Sequence, residues 1–264
     1  MLLLEPEPTR FDLRWRMFGI DVRVHPMFWL VAAILGFEWQ RVLGFPYLVL
    51  WVICVFISIL IHELGHILMG RLFGSNGHIV LYSFGGLAIP YQYLSNRWKR
   101  IAVSFAGPLA QFLLLGLVWL AKINLPKAFI GSDNVELFAK LFIFLEMLRM
   151  INLYWPILNL LPIWPLDGGK ISRELFEWGM GEKGVRASLG LSMVVAGFLA
   201  INELLGLNNH AFIPYFSGGS VYMALFFGLF AFDSFQEMQR AVPPSGGWNQ
   251  GRSPWEQDPD YWKR

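Results

Sequence analysis

The sequence predicts an all-α polytopic membrane protein with about six transmembrane helices and a short membrane-dipping β-hairpin between the second and third helices. Composition supports the membrane assignment. Of the 264 residues, 55% are hydrophobic and only 15% are charged, whereas soluble domains average about 25% charged residues. Aromatic residues are abundant, with 12 Trp and 23 Phe, as expected where rings lie at the boundary between lipid and water.

The helices are predicted from apolar segments, since a transmembrane helix needs about 20 consecutive apolar residues. Six segments approach this length: Pro26 to Phe45, Tyr47 to Phe73, Ile101 to Ile123, Leu137 to Leu161, Val185 to Leu207 and Gly219 to Phe235. The first is the weakest because Glu38, Gln40 and Arg41 cluster near its end. Residues 1–23 carry charges throughout, so we expect an aqueous segment there and no cleavable export signal.

The hairpin is predicted between the second and third spans, where His78 to Tyr93 is apolar but too short to cross a bilayer. The apolar runs Ile79 to Tyr82 and Leu87 to Ile89 flank a turn signal at Gly85 and Gly86. An exposed strand edge of such a hairpin could pair with an extended peptide. The alternative is an ordinary interfacial loop.

Positive charge predicts the orientation, because cytoplasmic loops carry an excess of Lys and Arg. With six spans, one side receives nearly all of these residues: Arg10, Arg14, Arg16, Arg23, Arg71, Arg97, Lys99, Arg100, Lys170, Arg173, Lys183, Arg186, Arg240, Arg252, Lys263 and Arg264. The other side receives only Arg41, Lys122, Lys127 and Lys140. We therefore expect both termini in the cytoplasm. The net charge of +2 and the absence of a long basic block exclude nucleic acid as a partner.

The second span contains the pattern His62-Glu63-Leu64-Gly65-His66. Histidines four residues apart share one face of a helix and can hold a single metal ion, and Glu63 beside them can take a proton from water. The pattern also arises by chance, but ionisable residues in hydrocarbon cost about 3 kcal/mol each and are seldom kept without a role. The residues therefore favour a zinc hydrolase site inside the membrane.

A catalytic zinc usually has three protein ligands, so a third ligand must come from elsewhere. The single cysteine excludes a cysteine-rich site. The better candidate is Asp167, because Pro162, Pro165 and the glycines after Asp167 should unwind the chain there and turn this residue inward. His25, His78 and His210 stay open as metal or substrate residues, against capping or solvated roles.

Taken together, these motifs resemble the site-2 protease family of intramembrane zinc metalloproteases, in particular its sporulation-factor-processing type. The resemblance rests on the His62–His66 motif, on Leu166-Asp167-Gly168 after Asn159, and on the intervening run from Phe105 to Gln111. Relatives commonly have Asn where this chain has Gln111. The family implies that His62, His66 and Asp167 hold one zinc ion, that Glu63 activates the water, and that Asn159 helps to position the substrate.

The resemblance further implies a zinc metalloendopeptidase that hydrolyses a peptide bond within or near a transmembrane segment of a membrane-protein substrate. The protease domain would cover residues 1–236, followed by a short polar cytoplasmic tail at 237–264. We expect a lipid bilayer location, in a bacterial inner membrane, and leave open an inhibitory membrane partner. Two other functions stay open: a non-catalytic membrane scaffold of the same fold, and a metal transporter. Iron, cobalt or manganese could also occupy such a ligand set.

Overall fold

The computed structural model describes residues 5–83, 85–130, 134–208, 210–213 and 220–240. The chain divides into two units, one with residues up to Asn159 and one with residues from Leu160 onwards. The first unit contains five helices and a small sheet. The helices are α1 (Pro26–Leu35), α2 (Phe37–Leu43), α3 (Phe45–Leu72), α4 (Arg97–Ala128) and α5 (Val135–Asn159).

The sheet of the first unit has four strands in the order β1-β2-β3-β4. The strands are β1 (Leu13–Met17), β2 (Ile20–Val24), β3 (Gly77–Tyr82) and β4 (Gly85–Pro90). β2 runs parallel to β3, and the other two pairs are antiparallel. β3 and β4 form an antiparallel pair that follows α3 and precedes α4 in sequence, and they belong to the four-stranded sheet. The membrane-dipping position of the predicted hairpin stays a prediction. Gly85 and Gly86, which the sequence placed in its turn, belong to β4.

The first two strands were not predicted, because the charges of residues 1–23 indicated only an aqueous segment. Apolar and charged residues alternate along β2. Ile20, Val22 and Val24 are almost completely buried, and the charged residues Asp21 and Arg23 lie between them. Residues of β2 and β3 join Phe28 of α1 and Ile59 of α3 in one apolar core. The sheet therefore packs on the same helix that carries the His62–His66 motif.

The second unit consists of α6 (Asp167–Met180), α7 (Glu182–Gly206) and α8 (Val221–Arg240). α7 packs against both α6 and α8. An irregular segment from Leu160 to Leu166 precedes α6 and contains a cis peptide bond between Trp164 and Pro165. Ser192 of α7 and Ser234 of α8 hold this segment through hydrogen bonds with the backbone of Trp164.

Within the described ranges, four helices are long and apolar enough to cross a membrane: α3, α4, α5 and α7. The chain is an integral membrane protein. The first predicted span is instead two short helices that meet at Gly36. The sixth corresponds to α8, which carries Asp233, Glu237 and Arg240. The prediction of six spans is therefore not confirmed. Of the predicted tail, Glu237 to Arg240 continue α8, and 241–264 lie outside the described residues.

Candidate metal centre

The two motif histidines lie side by side on α3, and both are buried. Their Nε2 atoms are 3.1 Å apart. Zinc binds histidine nitrogen at about 2.0–2.1 Å, so two nitrogens on one tetrahedral zinc ion are separated by about 3.3 Å. The spacing of the His62 and His66 nitrogens therefore suits two ligands of one ion.

Hydrogen bonds to the other ring nitrogen determine which tautomer each histidine adopts. The Nδ1 of His66 lies 2.7 Å from the carbonyl oxygen of Val103, which can only accept, so this nitrogen carries the proton. The Nδ1 of His62 lies 2.9 Å from the Oε1 of Gln111. The Nε2 of Gln111 donates to the Ser58 carbonyl at 3.2 Å, which identifies Oε1 as the acceptor. Both imidazoles thus direct an Nε2 lone pair at the candidate metal position.

Helix α4 approaches the two imidazoles at Gly107. A Cβ added at Gly107 would overlap the Nε2 atoms of His62 and His66. Gln111, which holds His62, follows one turn later on the same helix and is fully buried. The spacing of Gly107 and Gln111 therefore lets one face of α4 both make room for the ligand atoms and orient one of them.

Glu63 is buried beside the histidines, between α3 and the sheet. Its side chain contacts the β4 backbone at Gly86, where an added Cβ would overlap the Glu63 carboxylate and Cγ. A side chain at position 86 would therefore displace the Glu63 side chain. The carboxylate thus lies against an edge strand of the sheet.

Asp167 belongs to the second unit, where it is the first residue of α6 and is 3% exposed. α5 ends at Asn159, two residues before the predicted end of that span, and the chain is irregular before Asp167, as predicted. The Nζ of Lys170 lies 3.2 Å from the Asp167 carboxylate. Asp167 thus offers a buried carboxylate, and His62 and His66 offer two buried imidazoles. Carboxylate and neutral imidazole are both ligand types that zinc accepts.

The remaining candidates have local roles in the structure. Asn159 is the last residue of α5, and its Nδ2 donates to the Trp155 carbonyl at 3.1 Å.

The other histidines lie outside the His62–His66 motif. The Nδ1 of His25 accepts from the Met27 N–H and caps α1. His78 lies on β3 with its Nε2 3.5 Å from the Glu5 carboxylate. His210 is exposed. The contacts of His25 and His78 favour capping and ion pairing over metal binding.

Sequence reasoning did not identify the contact between Gln111 and His62. The signal was present, since a glutamine inside an apolar span is costly to bury without a partner. Nothing in the sequence indicated which partner, because the two residues are 49 positions apart.

Comparison with known proteins identifies relatives. The model of peptidase family M50 matches residues 50–201. The chain is 32% identical over 166 residues to stage IV sporulation protein FB of Bacillus subtilis, covering 62% of this chain and 50% of that protein. It is 31% identical over 207 residues to a protein named as a zinc metalloprotease in Synechocystis, covering 73% and 52%. The chain spans about half the length of these curated relatives.

A solved structure shares the fold. The site-2 protease from Methanocaldococcus jannaschii matches with a TM-score of 0.56 and 22% sequence identity. The match covers 90% of this chain and 100% of that one. The fold is therefore shared with a chain of low sequence identity.

Proposed function

Since the chain belongs to peptidase family M50, the family of the site-2 proteases, we propose that it is an intramembrane zinc metalloendopeptidase. Its substrate would be a membrane protein, cleaved within or near a transmembrane segment. One observation carries the proposal: two buried imidazoles whose Nε2 atoms are 3.1 Å apart, and one buried carboxylate, are carried by a single helix that is apolar enough to span a bilayer. Such a group of ionisable residues in hydrocarbon indicates a functional site.

We assign His62, His66 and Asp167 as the ligands of one zinc ion. The first two are oriented by Gln111 and the Val103 carbonyl. Asp167 contributes a buried carboxylate from the start of a helix, and three protein ligands leave one position open for water or substrate. When bound, zinc would supply a Lewis acid that makes water more acidic and polarises a peptide carbonyl.

Glu63 is assigned as the general base. It would take one proton from water as the water oxygen attacks the peptide carbon, and return that proton to the leaving amine nitrogen. Hydrolysis then consumes one water and yields one carboxylic acid and one amine. The contact between Glu63 and Gly86 supports this role, since it restricts where the carboxylate can lie and holds it against the strand proposed to receive the substrate.

β4 is assigned as the strand that receives the substrate. It is an edge of the sheet, and its antiparallel pairing alternates bonded and non-bonded residue pairs. The Tyr91 N–H donates to the Asn76 carbonyl at 2.7 Å, and by this alternation Gly86 and Ala88 direct their backbone groups outward. An extended substrate could pair with them beside Glu63 and replace hydrogen bonds lost when its own helix unwinds.

Asn159 is assigned to substrate positioning, because its buried side-chain amide ends α5. We further propose that both termini face the cytoplasm and that the membrane is a bacterial inner membrane. The distribution of Lys and Arg along the chain supports the orientation.

A cleavage assay in a bilayer tests the proposal. The purified full chain, reconstituted in nanodiscs, is mixed with a labelled single-span peptide, and products are identified by mass spectrometry. We expect cleavage by the parent, a loss of at least about 100-fold in Glu63→Gln, and no loss in the control Glu38→Gln, whose side chain is 74% exposed. A chelator should stop cleavage and added zinc restore it.

Three outcomes would each overturn one of these assignments. Cleavage by Glu63→Gln at the parent rate would show that another group acts as the base. If no variant cleaves the peptide while Glu63→Gln keeps the cellular role of the parent, the chain is a scaffold. Metal flux into vesicles that depends on His62 would instead support a transporter.

A further inference from the structure

Three charged side chains form a cluster between two membrane-spanning helices, away from the residues assigned to catalysis. Lys122 of α4 and Arg149 of α5 both bind the carboxylate of Glu146. The Nε of Arg149 also donates to this carboxylate at 2.8 Å. The cluster therefore carries two positive charges and one negative charge.

The cluster is only partly covered by protein. The side chains of Lys122, Glu146 and Arg149 are 19%, 27% and 35% exposed. In the part of the chain that the structure describes, Glu146 is the only carboxylate paired with either cation. A net positive charge exposed to hydrocarbon is costly, and ionisable residues inside spans normally pair with a partner.

A groove adjoins the cluster on the same face of α4 and α5. It has a volume of about 370 Å³ and is lined by Arg149 and by apolar residues and one glycine: Phe112, Leu115, Gly116, Trp119 and Leu153. A Cβ added at Gly116 would meet no other atom within 4 Å. The groove is thus open at Gly116, where a side chain from another helix could enter.

The depth of Arg149 argues against a lipid headgroup as the missing anion. The exposed pair of Glu136 and Lys140 lies in the first turns of α5 and suits the aqueous boundary. Arg149 is nine residues beyond Lys140, which is about 13 Å along a helix axis. With Lys140 at the boundary of a hydrocarbon core about 30 Å thick, Arg149 lies nearer to the middle, which favours a carboxylate on a neighbouring helix over a lipid phosphate.

We propose that the groove between α4 and α5, centred on Arg149, docks a transmembrane helix of a partner membrane protein that carries one carboxylate near its centre. The carboxylate would neutralise the surplus positive charge, and the apolar lining would bury the neighbouring side chains. This docking surface shares no residue with the metal centre, so it stands independently of the proteolytic function.

The test measures association of the full chain with a designed partner helix in nanodiscs of neutral lipid. The probe is a single-span Leu/Ala peptide with one central Glu, compared with the same peptide carrying Gln, and binding is followed by energy transfer between dyes on the two molecules. All chains carry Glu63→Gln so that cleavage does not interfere. We expect the Glu peptide to bind at least about 10-fold more tightly than the Gln peptide.

Two variants of the chain test whether the preference for the Glu peptide depends on the groove. Arg149→Gln leaves Glu146 paired with Lys122 and removes the surplus charge, so the preference for Glu should fall to about one. Lys140→Gln removes one positive charge from the same helix at an exposed position and should keep the full preference. Thermal unfolding of each variant checks that it is folded.

Equal binding of the Glu and Gln peptides to the parent would overturn the proposal. A preference that survives in Arg149→Gln would overturn it as well, because the carboxylate would then be bound elsewhere. The same binding measurement in anionic lipid tests whether a lipid phosphate supplies the negative charge in place of a partner helix. If anionic lipid abolishes the preference, a lipid phosphate occupies the groove and the partner-helix proposal is wrong.

Discussion

The Nδ1 of His62 donates a hydrogen bond to the Oε1 of Gln111 over 2.9 Å, and this contact joins the central helix α3 to α4. Gln111 is fully buried and is itself fixed by its donation to the Ser58 carbonyl. The hydroxyl of Ser58 in turn accepts from the Asn152 side chain at 2.8 Å. A chain of polar contacts therefore runs from a candidate metal ligand through α4 and α3 to α5.

Replacement of Gln111 by Leu should weaken zinc binding by about 10- to 100-fold, which is the usual effect of losing a group that orients a metal-bound histidine. The leucine removes the acceptor for the His62 Nδ1 proton, so the imidazole is free to rotate or change tautomer. Titration of the purified variant with a zinc-competing chelator measures this affinity.

Replacement of Gln111 by Asn is the matched control, because it keeps the amide with a shorter side chain. It should retain more zinc affinity than Gln111→Leu. If Gln111→Leu binds zinc as tightly as the parent, the hydrogen bond to His62 has no influence on the metal.

Gly86→Ala should reduce cleavage by at least about 10-fold while zinc content stays near that of the parent. The added Cβ overlaps the Glu63 carboxylate, and small displacements of a catalytic group are costly in rate. Gly197→Ala is the control, since a Cβ there meets nothing within 4 Å. Full activity in Gly86→Ala would show that the position of Glu63 does not depend on β4.

Gly107→Ala, in contrast to Gly86→Ala, should lose zinc. Its Cβ would overlap the Nε2 atoms of both histidines, so the ligand atoms or α4 must move. Metal analysis of the purified variant tests this expectation. Retention of one zinc per chain would mean that α4 shifts without disturbing the ligands.

Asp12→Asn should lower the stability of the first unit by about 2 kcal/mol at neutral pH. Burial alone would raise the pKa of Asp12, but hydrogen bonds from Thr9 and Arg23 outweigh it and lower the pKa from 3.8 to about 2. Because the pKa is lower in the folded state, the stabilisation is complete above the unfolded value of 3.8. It is lost as the pH falls through about 2.

The difference in Tm between the parent and Asp12→Asn should accordingly shrink between about pH 5 and about pH 2. Asp21→Asn provides the control, since Asp21 is 67% exposed and lies 3.6 Å from Arg16, and exposed ion pairs contribute little. A Tm difference for Asp12→Asn that does not change with pH would contradict the assigned contacts.

The sequence predicted the features that follow from local patterns. Apolar length identified α3, α4, α5 and α7, and the prolines and glycines around Asp167 identified the irregular segment before α6. The spacing of His62 and His66 predicted their common face on one helix. Each of these features depends on residues close together in the chain, where periodicity and turn chemistry are informative.

Features that depend on distant residues were missed. The strand β2 pairs in parallel with β3, with Val22 opposite Ile79, and charges along residues 1–23 obscured the alternation that forms it. The apolar segment from Pro26 was expected to be one span, yet Gly36 divides it into two helices. The contact of Gln111 with His62 likewise joins two helices. A single sequence does not indicate which helices are neighbours.

The most direct test of the central assignment is the zinc content of detergent-purified protein, measured by mass spectrometry for the parent, His62→Ala, Asp167→Ala and the control His210→Ala. We expect about one zinc per chain in the parent and in His210→Ala, and almost none in the other two variants. A parent without stoichiometric metal would contradict the metal centre itself. Zinc retained at the parent level in Asp167→Ala would contradict the assignment of the third ligand.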